Sequence, residues 1–241
     1  MGKTIVLISS KGGSGKSTVA VGLAAAFSRE GKSVLLIDAD EGARCLDSML
    51  SVDIDTVFDL SDVLSGNADV DSAKLSVPNL PYVWVIPSPL SGEPIDLSAL
   101  YALTEQVKAD YDYVIVDLKG QLPADRLKSL PKTAQFISVV TTDKIAVRNT
   151  GLLNSALIAD GIHTRLIINR FKPKGVDGRY VNIDNIIDNS SAQLLGIVPE
   201  DKNVSATEGP MLFGTAAAAI FRIASRIEGN HVPLPAIKNI L

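Results

Sequence analysis

The sequence predicts an α/β fold: a single domain built on a doubly wound, mostly parallel sheet with helices on both faces. Three observations carry that expectation. Short apolar runs recur along the chain without the polar–apolar alternation of a half-exposed strand, and strands buried on both faces read this way. Helical spacing fills the intervals between them, so strand and helix alternate over the whole length. The chain has 241 residues, 46% of them hydrophobic and 21% charged. That is enough for one large core, and no Pro-, Gly- and Ser-rich linker divides it.

The first strand is expected at Ile5 to Ser9. A glycine-rich loop follows, then an Ala-rich helix from Ser17 to Phe27, stopped by Gly31 in the left-handed conformation that ends helices. Later strands are expected at Ser33 to Asp38, Tyr82 to Pro87, Tyr113 to Asp117, Phe136 to Thr141, Arg165 to Asn169 and Leu194 to Val198. Helices are expected at Leu97 to Lys108, Ala146 to Ile158 and Thr215 to Ile227. In such a sheet, ligands bind outside the carboxyl ends of the strands. The domain is expected to span 1–232, with a short tail over 233–241.

Composition excludes several function classes. A net charge of -4 disfavours a broad electrostatic grip on nucleic acid. The single cysteine, Cys45, excludes an intramolecular disulfide framework and any metal site made of several thiolates from one chain, which fits a reducing cytosol. The N-terminal run is too short for a signal-peptide core, and no apolar stretch approaches the roughly 18 residues of a spanning helix. His163 and His231 are isolated and lack metal-ligand spacing.

The strongest local signal is Ser10-Lys11-Gly12-Gly13-Ser14-Gly15-Lys16-Ser17-Thr18, between the first strand and the first helix. Glycines let successive backbone N–H groups converge on phosphate oxygens, and the helix adds its positive N-terminal dipole. Lys16 supplies a point charge for the β- and γ-phosphates, and the Ser17 hydroxyl is a ligand for Mg2+. Serine at position 10 replaces the glycine of the strict phosphate-loop pattern. Asp38, Asp40 and Asp117 end strands at the same sheet edge, where carboxylates meet bound phosphate.

Lys11 to Thr18 resembles the deviant Walker A motif of the MinD/ParA class of P-loop ATPases, with Lys11 in the place of its extra signature lysine. Val34 to Asp40, continuing through Gly42, Arg44, Leu46 and Asp47, is similar to the switch I strand and loop of the MinD group. Tyr111 to Asp117 resembles its Walker B strand, and Ile168-Asn169-Arg170 with Gly196 to Asp201 resembles its base-binding end. The match covers nearly the whole chain, with ParA as the nearer rival.

The resemblance implies a SIMIBI-type P-loop fold and hydrolysis of Mg-ATP. Asp40 would orient the attacking water, Asp38 would support the Mg2+ and water network, and Asp117 would hold Mg2+ through a water. Lys11 would reach across a dimer interface to the partner's ATP, as an arginine finger does in trans. Asn169 would contact adenine with Arg170 beside it, while Pro199, Glu200 and Asp201 line the other side. One segment departs from the pattern: Asp117-Leu118-Lys119-Gly120-Gln121 puts a lysine in switch II, where it would pair with Asp117 or with phosphate.

The implied cell biology is an ATP-dependent homodimer that positions the division septum with a MinC-like or other regulator. It would be cytoplasmic, with weak peripheral contact at the inner face of the membrane through Ile237, Lys238, Ile240 and Leu241. The rival is a ParA-like partition or cargo-positioning ATPase on nucleoid DNA, for which Arg165, Arg170, Lys172, Lys174 and Arg179 are the candidate basic stretch. A regulatory module that holds ATP with little turnover is a third reading.

Overall fold

The computed structural model describes residues 2–90, 94–174, 181–202, 204 and 214–234. Strands β1 (Lys3–Ile8), β2 (Val34–Ala39), β3 (Leu75–Ser76), β4 (Val83–Ile86), β5 (Tyr113–Leu118), β6 (Gln135–Val140), β7 (Thr164–Phe171) and β8 (Gln193–Pro199) join in one sheet. It is an 8-stranded sheet of order β3-β4-β2-β5-β1-β6-β7-β8. Every neighbouring pair is parallel except β3 on β4. The apolar runs are continuous because both faces of the sheet are covered: along β1, Ile5 and Leu7 enter one core while Val6 and Ile8 enter the other.

Helix α1 (Lys16–Arg29) is buried along nearly all of its length, from Val19 to Ser28. Its Ala-rich sequence suits a helix clamped between the sheet and α9 (Gly214–Ile227), since small side chains allow close approach on every side. It ends as expected at Gly31, where φ is 72°. The opposite face is covered by α3 (Leu60–Ser65), α5 (Leu97–Val107) and part of α7 (Lys144–Ala159).

Several elements lay beyond the sequence pattern: α2 (Leu46–Met49), α4 (Val70–Ala73), α6 (Ala124–Leu127), α8 (Ile183–Ser190) and the antiparallel β3. Most are only one turn long, too short to show a period. Helix α8 is rich in Asn and Asp; the Asn182 side chain caps it through Asn185 N–H while Ile183 and Ile186 fill a third core. Helices α7 and α8 approach closely at Gly151, where a Cβ would stand 2.0 Å from the Asn189 carbonyl oxygen.

Candidate functional site at the sheet's carboxyl edge

The loop after β1 and the ends of β2 and β5 meet at one edge. Asp117 of β5 lies in register with Leu7 of β1 on one side and Asp38 of β2 on the other. The phosphate loop leaves β1 and enters α1 through Gly15, whose φ of 85° is left-handed and which provides no side-chain cap. The first turn of α1 carries no acidic residue, so its N-terminal dipole is left for another anion. A Cβ on Gly15 would stand 2.3 Å from Asn169 Nδ2, which donates to the Ser14 carbonyl at 2.9 Å. Asn169, buried in β7, thus braces the loop from below. Gly12 and Gly13 face open space: a Cβ there would meet nothing within 4 Å.

The two lysines of the loop differ sharply. Lys16 is 6% exposed and points inward. Lys11 has a side chain 52% exposed and reaches Asp143 Oδ1 at 3.5 Å, at the N-cap of α7. Ser10 is bound to the same helix: its hydroxyl donates to the Ala146 carbonyl at 3.0 Å and lies 2.8 Å from Thr150 Oγ1.

Burial dominates the carboxylates. Asp38 and Asp117 are both 0% exposed. Burial, then the neighbouring Asp117 charge, pushes the Asp38 carboxyl up to about 7, against N–H groups of Leu46, Asp40 and Cys45 that favour its ionised form. Those donors hold both oxygens: Oδ1 accepts from Asp40 N at 3.1 Å, and Oδ2 from Cys45 N and Leu46 N at 3.0 Å each. Asp38 therefore anchors the switch I loop rather than presenting a free oxygen. Burial raises Asp117 to about 6, opposed by the Lys16 charge and the nearby Ser17 hydroxyl. Neither Asp117 oxygen has a partner in hydrogen-bond geometry. Asp40 is half-buried, its carboxyl raised by desolvation and drawn back by Lys16 and Lys119.

An orphaned buried carboxylate beside a serine hydroxyl is a donor set that fits Mg2+. This ion takes one or two protein oxygens and completes its octahedron with waters and phosphate. Among the described residues no group of three or more His, Cys, Asp or Glu makes a ready cage, as expected where phosphate oxygens complete the shell.

On the far side of the loop, Gly13, Gly15, Thr18, Asn169 and Arg170 face Pro199, Glu200 and Asp201 across a cavity of about 490 Å3. All the residues expected at the base end thus line one space. Arg170 closes its rim with Nη2 3.6 Å from Glu200 Oε1, while Asp201 Oδ2 accepts from Thr215 Oγ1 at 3.1 Å and Ala216 N at 3.2 Å, at the start of α9.

Of the two partners expected for Lys119, Asp117 is not the one it meets; its Nζ lies 3.7 Å from Glu41 Oε1 in switch I. The candidate basic stretch is spread along β7 and beyond it. Arg165 starts β7 and Arg170 nearly ends it, about 16 Å apart at strand rise, and both Arg170 and Lys172 are paired with Glu200. Arg179 lies outside the described residues. Sequence reasoning also missed the Cys45 thiol, which donates to Ser17 Oγ at 3.2 Å and is pushed up to about 12 mainly by burial. Its place in the switch I segment was the only available signal.

A strand, phosphate loop and helix at the carboxyl edge of a parallel sheet, with strand-end carboxylates beside the loop lysine, define a P-loop nucleotide-binding protein. The profile of the CobQ/CobB/MinD/ParA nucleotide binding domain matches residues 5–210. The septum site-determining protein MinD of Synechocystis is 32% identical over 97% of this chain and 92% of its own length. The Bacillus subtilis MinD is 29% identical, covering 99% of this chain and 93% of its own. The MinC:MinD cell division protein complex of Aquifex aeolicus superposes with a TM-score of 0.86 at 28% identity, over 97% of this chain and 99% of that one. MinD of Pyrococcus horikoshii complexed with Mg-ADP gives 0.81 at 25% identity, over 95% and 96%. The chain belongs to the CobQ/CobB/MinD/ParA nucleotide-binding family, and within it to the MinD-type ATPases, which use ATP and Mg2+.

Proposed function

We propose that the chain is a MinD-type switch in which ATP joins two copies and hydrolysis releases them, used to position the division septum. The observation that carries this reading is the contrast between the lysines: buried Lys16 serves its own loop, whereas half-exposed Lys11 is turned outward beside α7. Around Lys11 lies a second cavity of about 510 Å3 lined also by Ile145 and Leu152. These two apolar side chains are 66% and 64% exposed on α7, a surface suited to a second copy of the chain.

The roles follow from placement. Gly12, Gly13, Ser14, Gly15 and Thr18 form the cradle, and Lys16 neutralises phosphate charge. Ser17 and Asp117 hold Mg2+, which supplies further charge neutralisation when bound. Asp38 fixes switch I for them. Asp40, half-buried and within the field of Lys16, would orient the attacking water. Asn169, Arg170, Pro199, Glu200 and Asp201 receive the base. Residues 1–232 would be the ATPase domain and 233–241 a tail for weak peripheral membrane contact. The tail leaves a fixed point, because Arg226 donates to the Val232 and Pro233 carbonyls at 2.8 Å each; positions 235–241 lie outside the described residues. Among the described residues no helix is long and apolar enough to cross a membrane. A MinC-like regulator is the partner that the Aquifex aeolicus complex suggests.

Light scattering with Mg-ATP tests the reading. Wild type should pass from monomer to dimer, Asp40→Ala should accumulate as a dimer, and Lys11→Ala should remain monomeric while still binding nucleotide. Wild-type-like dimers from Lys11→Ala would refute the cross-interface role.

A further inference from the structure

The segment after Asp117 is fastened on two sides. Lys119 N donates to the Ala39 carbonyl at 3.2 Å, extending the β2–β5 ladder one residue past Leu118. Gln121 N donates to the Ser9 carbonyl at 2.8 Å, and between them Gly120 packs on the phosphate loop, a Cβ there lying 3.5 Å from Gly12 N and Cα. Lys119 is thereby held at the mouth of the site, on the same carboxyl edge as Asp40. Its side chain remains 45% exposed.

Its partner is unusual. The Glu41 side chain is only 6% exposed, and among the described residues Lys119 is its sole ion-pair partner, at 3.7 Å. That separation is an ion pair without a hydrogen bond, so the ammonium is held loosely and retains its three donors. A terminal phosphate brings about two negative charges and three acceptor oxygens to the same mouth, against one charge on Glu41. A nucleoside diphosphate lacks that group and leaves Glu41 as the better partner. Lys16, deeper in the loop, meets the β-phosphate that both nucleotides carry as well as the γ-phosphate, so it keeps a partner in either state and distinguishes them less.

We propose that Lys119 is the residue by which this chain tells ATP from ADP, leaving Glu41 in switch I for the γ-phosphate when a triphosphate is bound. The inference rests on the nucleotide site proposed above. It gives switch I and switch II one shared charge whose partner depends on the nucleotide, so Lys119 helps to determine which nucleotide the switch retains.

Calorimetric titration with Mg-ADP and with a non-hydrolysable Mg-ATP analogue decides it. Lys119→Gln should leave ADP affinity within about twofold of wild type and weaken the analogue roughly 5- to 20-fold, the range of a partly exposed charge-assisted contact. Glu41→Gln removes the competitor and should tighten the analogue about 2- to 5-fold with ADP unchanged. The double substitution should behave as Lys119→Gln does, and Lys119→Arg should keep most of the discrimination. Equal weakening of both nucleotides by Lys119→Gln would show that Lys119 merely supports the loop, and no change in either would show a solvated surface pair; each overturns the proposal. If wild type binds neither nucleotide, the site reading itself fails and takes this inference with it.

Discussion

Asp38 and Asp117 are placed against each other by strand register, and burial makes both easier to protonate than an ordinary aspartate. In the unfolded chain both carboxyls ionise near 3.8, whereas in the folded chain they hold their protons to about 7 and about 6. The unfolded state therefore sheds protons first, and folding stability contributed by this pair is full below about pH 4 and declines as pH rises through 7. Asp117→Asn removes one of the two opposed charges. The metal-free variant should lose less stability than wild type between pH 5 and pH 8, by on the order of 2 kcal/mol, and should lack the stabilisation that Mg-ADP gives wild type. Thermal melts across that range check both signs. An unchanged pH slope would show that Asp117 bears no such strain. The carboxylates themselves were legible because each closes an apolar strand. Their tension was not, since it depends on β2 and β5 being neighbours, which places residues 38 and 117 side by side.

At the scale of elements, the phosphate loop is less a free loop than a joint between β1, β7 and α7. Asn169 holds Ser14 from β7, and Ser10 holds α7 through Ala146 and Thr150. Serine at position 10 looks like a defect in the glycine pattern, but its hydroxyl ties the loop to the helix that also receives Lys11 through Asp143. Ser10→Ala and Thr150→Val should each cost about 1 kcal/mol. Because they share one hydrogen bond, the pair should cost less than the sum, with a coupling of at least about 0.5 kcal/mol. Urea unfolding of the singles and the double measures it; strict additivity would deny the joint. Neither contact could be read from the sequence, because the partners stand 140 and 155 positions apart. The strands and long helices were readable for the opposite reason: their burial on both faces writes itself as local apolar runs. Lys119 shows the limit between the two. Its position beside the Walker B aspartate was visible, whereas its choice of Glu41 depends on how two loops cross above the sheet.

Among the described residues, a charged, glycine-lined opening lies at the carboxyl edge of a sheet whose two faces are packed by helices. Two halves of the site, from β1–β2–β5 and from β7–β8, converge on the same loop, so phosphate and base can be held at once. Nucleotide binding turns on Lys16 meeting phosphate inside that loop. Equilibrium binding of a fluorescent ATP analogue with Mg2+ to wild type and Lys16→Ala, with circular dichroism as the folding control, tests it. The expected result is an unchanged spectrum and an affinity lowered roughly 10- to 100-fold, the loss of a buried charge-assisted contact. A folded Lys16→Ala protein that binds the analogue as tightly as wild type would show that Lys16 does not meet phosphate.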